Sequence, residues 1–132
     1  MHTSIMLKDV TDGLSHTYMI GEKYIDRDLA NHGTSWGDDA SPFVSGDRGI
    51  VRWAAYPLDE TSDIYLGPQR DASSDGEYGL TGLGTYNFGS AHSSGFNMSM
   101  CDGSVRHIGY DISERVHRCF CNRADGTGVE MP

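Results

Sequence analysis

Residues 92–105, with the sequence HSSGFNMSMCDGSV, constrain the fold of this chain more than any other segment. Every second position from 96 to 100 is apolar, and Asp102 and Gly103 follow directly. An Asp-Gly pair between alternating residues indicates a β-hairpin with a two-residue type I′ turn, because that turn requires positive φ at both central positions. The segment therefore predicts two antiparallel strands that meet at Asp102 and Gly103.

The turn also predicts which residues face each other across the hairpin. A two-residue loop fixes the register, so Met100 is expected opposite Val105, and Met98 opposite His107. One side of both strands then forms the core face, and its members are Phe96, Met98, Met100, Val105 and His107.

His92 and Asp102 are separated by nine residues, and the pair could be read as a catalytic dyad. An extended strand of that length places the two side chains roughly 30 Å apart, so direct contact is not expected. We instead expect the imidazole of His92 to bond backbone groups in a loop of small residues and to fix the start of the strand. No catalytic residue is predicted.

The composition predicts a single α+β domain over residues 1–132. Seventeen Gly and four Pro indicate many turns, while two Trp, seven Tyr and four Phe suffice for a core. We expect mainly antiparallel strands, two of them at 17–25 and 50–58, with long loops at 26–49 and 59–85.

One short helix is predicted near the C-terminus, over residues 111–120. Four apolar side chains fall on one face at helical spacing, and Asp111 or Ser113 is suitably placed to cap the first turn. The apolar face comprises Ile112, Val116, Cys119 and Phe120.

The charge of the chain excludes some partners and favours others. Nineteen acidic and ten basic residues give a net charge of −9, which repels nucleic acids and attracts cations. Asp71, Ser73 and Asp75 occupy positions 1, 3 and 5 of an EF-hand-like loop, but Gly82 stands where the bidentate Glu belongs. The segment is either a Ca²⁺ loop with few ligands or, as we favour, a solvated acidic turn. No other cofactor is predicted.

Other chemical motifs point away from an enzyme. The six His show no HxH or HExxH spacing, and no GxSxG segment is present. Three cysteines, Cys101, Cys119 and Cys121, allow at most one disulfide within a monomer. A bond from Cys101 to either of the others would tie the hairpin to the helix, and the sequence leaves this pairing open.

Three blocks of the sequence carry a resemblance to a known family: TDGLSHTYMIGEK (11–23), FGSAHSSGFNMSMCDGSVRHIGYDI (88–112) and NRADG (122–126). They resemble the planctomycete family of prepilin-like proteins of unknown function that is named for its His-x9-Asp-Gly motif, and that is also catalogued as solute-binding-like. The positions that match are His92, Asp102 and Gly103 in the middle block, with Asp12, Gly13, Gly21 and Glu22 in the first.

The resemblance implies a non-enzymatic structural or assembly role. Family members typically begin with a prepilin cleavage sequence and a long hydrophobic helix, followed by a β-rich C-terminal domain. Residues 1–132 resemble that distal domain, with the pilin helix absent. We therefore expect an envelope subunit like a type II secretion pseudopilin or a type IV pilin, located outside the cytoplasm and associated with other protein subunits or copies of itself.

Two alternative functions remain open from the sequence, a binding module first and an enzyme after it. In the first alternative, the chain is a binding or accessory module for a solute, a glycan or a larger protein complex. The loops 26–49 and 59–85 of the chain would then make the contacts. A native chain that truly starts at Met1 would be expected in the cytoplasm. Membrane association is expected only through an N-terminal helix.

Overall fold

The computed structural model describes residues 4–33, 35, 37–38, 41, 43, 49–55, 65–73 and 86–127. Two short 3₁₀ turns, Leu7–Asp9 and Leu14–His16, come before the first strand. The strands are β1 (Tyr18–Gly21), β2 (Gln69–Arg70), β3 (Gly89–Ser90), β4 (Gly95–Met100) and β5 (Val105–Gly109), and the helix is α1 (Glu114–Phe120).

The strands form two small sheets. The larger is antiparallel with the order β1-β4-β5, and a short parallel pair is formed by β2 and β3. This arrangement, with the helix α1, confirms the predicted small α+β fold with mostly antiparallel strands. In the part of the chain that the structure describes, no helix has the length and apolar character needed to cross a membrane.

The hairpin forms where predicted, but its register is shifted by one residue. The Gly103 amide donates to Met100 O at 3.0 Å, and the Met100 amide donates to Ser104 O at 2.8 Å. Ser99, not Met100, lies opposite Val105. The loop therefore has three residues, 101–103, and the predicted type I′ turn is wrong.

The side chain of Asp102 explains the longer loop. Its Oδ1 accepts bonds from the Ser104 amide at 2.8 Å and the Ser104 hydroxyl at 2.7 Å. Gly103 has a φ of +85°, while every described residue with positive φ is a glycine. Asp102 thus closes the turn at negative φ, which gives a type I turn followed by a glycine bulge.

The shifted register reverses the faces of β5, because side chains alternate across a strand. Val105 is 70% exposed and Ile108 only 5%, so the core face of β5 carries Ile108 instead of Val105 and His107. The predicted core positions on β4 are correct, since Phe96, Met98 and Met100 are all buried.

The core lies between the antiparallel sheet and the C-terminal segment. Its buried members are Phe96, Met98, Met100, Ile108, Ile112 and Phe120. The helix is shorter than predicted, since it begins at Glu114, and Ser113 at its N-cap forms no side-chain capping bond. Ile112 and Phe120 are nevertheless buried as expected, and Val116 packs against them.

The other predicted strands are shorter in the structure. Of the strand expected at 17–25, the ladder extends only over β1, and Lys23 forms an isolated bridge with Phe88. Within 50–55 an isolated bridge joins Ala55 to Tyr65, and the remainder of the predicted strand lies outside the described residues. Gly21 lies opposite Met98 in the pairing of β1 with β4, and a Cβ atom at Gly21 would overlap the Met98 sulfur, so a larger residue there would force this buried side chain to move.

Candidate functional site

His92 and Asp102 lie at opposite ends of β4, as the extended spacing predicted. His92 precedes the strand and Asp102 follows it, with all six residues of β4 in between. At about 3.3 Å per residue, the strand alone keeps the two side chains far apart. A His–Asp dyad is therefore not formed, and each end of the motif has its own surroundings.

Asp102 and Gly103 form and stabilise the turn between β4 and β5. The hydrogen bond from the Ser104 hydroxyl, followed by that from the Ser104 amide, lowers the pKa of the Asp102 carboxyl. The carboxylate is exposed to solvent and already bonded within the loop. This end of the motif determines local conformation.

His92 is held by its backbone, and its imidazole faces a carboxylate. Its amide donates to Ser90 Oγ at 3.1 Å, and its carbonyl accepts a bond from the Tyr110 hydroxyl at 3.3 Å. The imidazole Nε2 lies 3.4 Å from Oε1 of Glu22, and the side chain is 58% exposed. Among the described residues the imidazole contacts this carboxylate, and its expected bonding to backbone groups stays a prediction.

Glu22 also binds the backbone of β4. Its Oε2 accepts a 2.6 Å bond from the amide of Asn97, while its own amide donates to Asn97 O at 3.2 Å. The strand β1 ends at Gly21. Beyond it, the side-chain carboxylate of Glu22 accepts the hydrogen bond from the β4 backbone. Glu22 and His92 belong to different sequence blocks, and nothing in their spacing indicates that they meet.

His107 extends this polar surface. Its Nε2 lies 3.2 Å from Ser94 Oγ and its Nδ1 3.4 Å from Asn97 Oδ1. Together with Glu22 and His92, these residues form what we call the motif cluster: Glu22, His92, Ser94, Asn97 and His107. The shifted register of β5 is what turns His107 toward Asn97, so the cluster could not be predicted from the two-residue turn.

The chemistry of the motif cluster is that of an open hydrogen-bonded surface. Ser94 and His107 are both exposed, so water competes with their contact. The imidazole therefore does little to increase the nucleophilicity of the serine hydroxyl. Among the described residues, no group of three His, Cys, Asp or Glu side chains is placed to hold a metal ion.

Asp12 and Gly13 join the first sequence block to the third. The Asp12 carboxylate accepts bonds from the Asp125 amide at 2.7 Å and the Gly126 amide at 3.0 Å. Arg123 O in turn accepts a 3.2 Å bond from the Asp12 amide. Gly13 has a φ of +105°, a conformation that glycine adopts without strain.

The candidate Ca²⁺ ligands are only partly described. Asp71 Oδ1 accepts a bond from the Ile25 amide at 3.0 Å, and burial raises the pKa of this carboxyl. Ser73 is exposed, and Asp75 lies outside the described residues. Asp71 thus has a structural partner, and the Ca²⁺ loop stays a prediction.

The three cysteines are free thiols in the structure. Cys101 and Cys119 are half-buried and Cys121 is exposed. The Cys101 thiol contacts Tyr18 O at 3.7 Å, and burial raises its pKa. A disulfide under oxidising conditions stays a prediction.

A groove opens beside β1. Its volume is about 340 Å³, and it is lined by Met19, Ile20, Gly21, Lys23, Gly49, Ile50, Val51, Arg52 and Phe88. The ammonium of Lys23 donates to Gly37 O at 3.1 Å and to Gly49 O at 3.0 Å, and it pairs with Asp38. These bonds attach residues 49–52 to the end of β1. The groove combines three distant segments of the chain, so sequence reasoning missed it.

The family described as Protein of unknown function (DUF1559) matches residues 1–115. The chain belongs to the DUF1559 family. In this DUF1559 chain the match covers the first two sequence blocks and the whole antiparallel sheet, and it ends within α1, before NRADG. No curated protein matches the chain. No solved structure matches it.

Proposed function

We propose that this DUF1559 chain is a non-enzymatic assembly module: the distal domain of a prepilin-like envelope subunit, comparable to a type II secretion pseudopilin or a type IV pilin. The planctomycete motif family that the sequence resembles suggests this role. Such a subunit acts outside the cytoplasm, joined to its neighbours by protein contacts and to the membrane by an N-terminal helix.

The use of the motif residues is the observation that best supports the proposal. Asp102 and Gly103 form a turn, and Gly21 leaves room for the Met98 side chain where β1 pairs with β4. Asp12 joins the two ends of the described fold, and Glu22 holds β4. Residues that maintain a scaffold are expected in a module that presents surfaces to other subunits, whereas a catalytic site needs groups gathered around one substrate position.

The decisive experiment is the intact mass and N-terminal sequence of the protein isolated from its native cells. The proposal predicts a mass larger than that of residues 1–132 by a hydrophobic helix, a methylated N-terminal residue, and recovery in the envelope fraction. A native protein with the mass of residues 1–132, an unmodified N-terminus and no envelope association would contradict it.

The groove beside β1 favours a binding module as the second candidate. Its volume of about 340 Å³ lies within the range of roughly 300–1,000 Å³ that is common for small-molecule sites. Gly49, which lines the groove, is the last residue of the loop 26–49 that the sequence assigned to partner contact. The two candidates are compatible, since an envelope subunit can also carry a ligand.

A further inference from the structure

The antiparallel sheet has an outer face, on the side away from the core, whose centre is open to solvent. The buried side chains of β4 point into the core, so the residues between them point outward. Strand pairing then places Ile20 of β1 and Val105 of β5 on either side of Ser99, in one row across the three strands. The outer face comprises Ile20, Gly95, Asn97, Ser99, Val105, His107 and Gly109.

The row of Ile20, Ser99 and Val105 is apolar where a solvated sheet face is normally polar. Ile20 is 69% exposed and Val105 70%, and at about 4.8 Å between strands their backbones lie roughly 10 Å apart. The Ser99 hydroxyl between them is buried, and it has no hydrogen-bond partner among the described residues. Exposed apolar side chains that gather in one place mark interaction sites, whereas single ones need no explanation.

The outer face also lacks charged residues. None of its members is Asp, Glu, Lys or Arg, although these residues make up 22% of the chain. The carboxylate of Glu22 lies beside Asn97, where the Asn97 amide and the imidazole of His92 already engage it. Depletion of charged residues at the centre of a surface is the compositional mark of a protein interface.

A second copy of the chain fits this face better than a charged partner does. The net charge of −9 makes two copies repel each other over most of their surfaces, whereas a contact through the outer face brings no like charges together. Gly95 and Gly109 lie opposite each other and present no side chain, so another sheet can approach to the usual packing distance of about 10 Å. Both copies offer the same apolar, uncharged face, which is the self-complementarity that a two-fold interface requires.

We propose that the outer face is an interface between two copies of this chain, in which the row of Ile20, Ser99 and Val105 of one copy packs against the same row of the other. This inference deepens the proposed assembly role and rests on it. The native mass experiment does not involve the outer face, and self-association of the isolated chain does not involve the envelope, so either idea can fail while the other survives.

The size of the outer face predicts a weak, reversible contact. Three strands of about five residues present roughly 250 Å², at about 4.8 Å between strands and about 3.3 Å per residue. A stable interface buries about 800 Å² per partner. Association is therefore expected only at high protein concentration, or in an assembly whose other contacts raise the effective concentration of the subunits.

The test is sedimentation equilibrium of the 132-residue chain up to about 1 mM, with variants that change the charge of the outer face. The wild type should form dimers at the highest concentrations. Val105→Glu and Val105→Lys should each weaken the association at least about tenfold, because like charges then meet across the contact. An equimolar mixture of these two variants should dimerise again, because opposite charges meet.

Leu7→Glu and Leu7→Lys are the matched controls, since they change the net charge by the same amounts. Leu7 is 63% exposed, lies in the first 3₁₀ turn and does not belong to the outer face, so both controls should dimerise like the wild type. A monomeric wild type, which would leave the face to a different molecule, overturns the proposal, as do equal effects at Leu7 and Val105 or a mixture that stays monomeric. Urea unfolding checks the fold of each variant, and Ile20→Glu with Ile20→Lys replaces the Val105 pair if that pair does not fold.

Discussion

His117 is the least expected residue of the core. It is fully buried in α1, with its ring edge-on to Phe88 and Phe96, and its Nδ1 lies 3.5 Å from the Tyr18 hydroxyl. Its Nε2 has no hydrogen-bond partner among the described residues. A charged imidazole would lose its hydration there without compensation, so burial lowers the pKa of His117 to about 4.

This pKa makes folding stability depend on pH in a defined window. The unfolded chain binds a proton at His117 near pH 6.5, whereas the folded chain binds it only near pH 4. The stability that depends on a neutral His117 is fully present above pH 6.5 and is lost as the pH falls toward 4. This loss lowers the free energy of unfolding by roughly 3 kcal/mol.

The measurement is urea unfolding at pH 7 and pH 4 for the wild type and His117→Phe. The variant keeps an aromatic ring and cannot titrate, so its stability should fall less between the two pH values, by roughly 3 kcal/mol. Carboxylates titrate in both proteins and cancel in the difference. Equal losses in the two proteins would show that the pKa of His117 is the same in the folded and the unfolded chain, which would contradict its burial from water.

At the scale of elements, the sequence predicts strands better than their pairing. Alternation identified β4 and its buried face correctly, and Asp102 with Gly103 located the turn. The five residues of β5, VRHIG, offer one branched apolar side chain to either face, so periodicity alone does not choose between them. The choice depends on the two hydrogen bonds that Ser104 donates to the Asp102 carboxylate, which lengthen the loop by one residue.

The two registers predict opposite effects for two substitutions on β5. With Ile108 5% exposed and part of the core, Ile108→Ala should reduce the free energy of unfolding by about 2–4 kcal/mol. Val105→Ala should change it by less than about 0.5 kcal/mol, because Val105 is 70% exposed. Chemical denaturation of both variants measures this directly. A larger loss of stability for Val105→Ala than for Ile108→Ala would contradict the observed register and support the predicted two-residue turn.

At the scale of the whole molecule, contacts between distant blocks hold the fold together. Glu22 reaches Asn97 and His92 in the middle block, and Asp12 reaches Asp125 and Gly126 in the third. The sequence marked most of these positions but could not pair them, because pairing depends on the order β1-β4-β5, which no local pattern encodes. The groove escaped prediction for the same reason.

Glu22 makes two contacts of unequal weight, and substitutions separate them. The bond from the Asn97 amide is 2.6 Å long and partly buried, whereas the pair with His92 spans 3.4 Å between exposed groups. Removing the acceptor of a backbone amide costs about 1–3 kcal/mol, while an exposed ion pair contributes about 0–1 kcal/mol.

Glu22→Ala should therefore lower the free energy of unfolding by about 1–3 kcal/mol, and His92→Ala by less than about 1 kcal/mol. Glu22→Gln keeps an acceptor for Asn97 and should recover most of the loss. Urea unfolding of the three variants and of the double alanine variant gives the coupling between Glu22 and His92 as well. A loss for His92→Ala as large as that for Glu22→Ala, with strong coupling, would mean that the imidazole holds the carboxylate in position. The motif histidine would then stabilise the junction between the first two blocks, in addition to the loop that its backbone fixes.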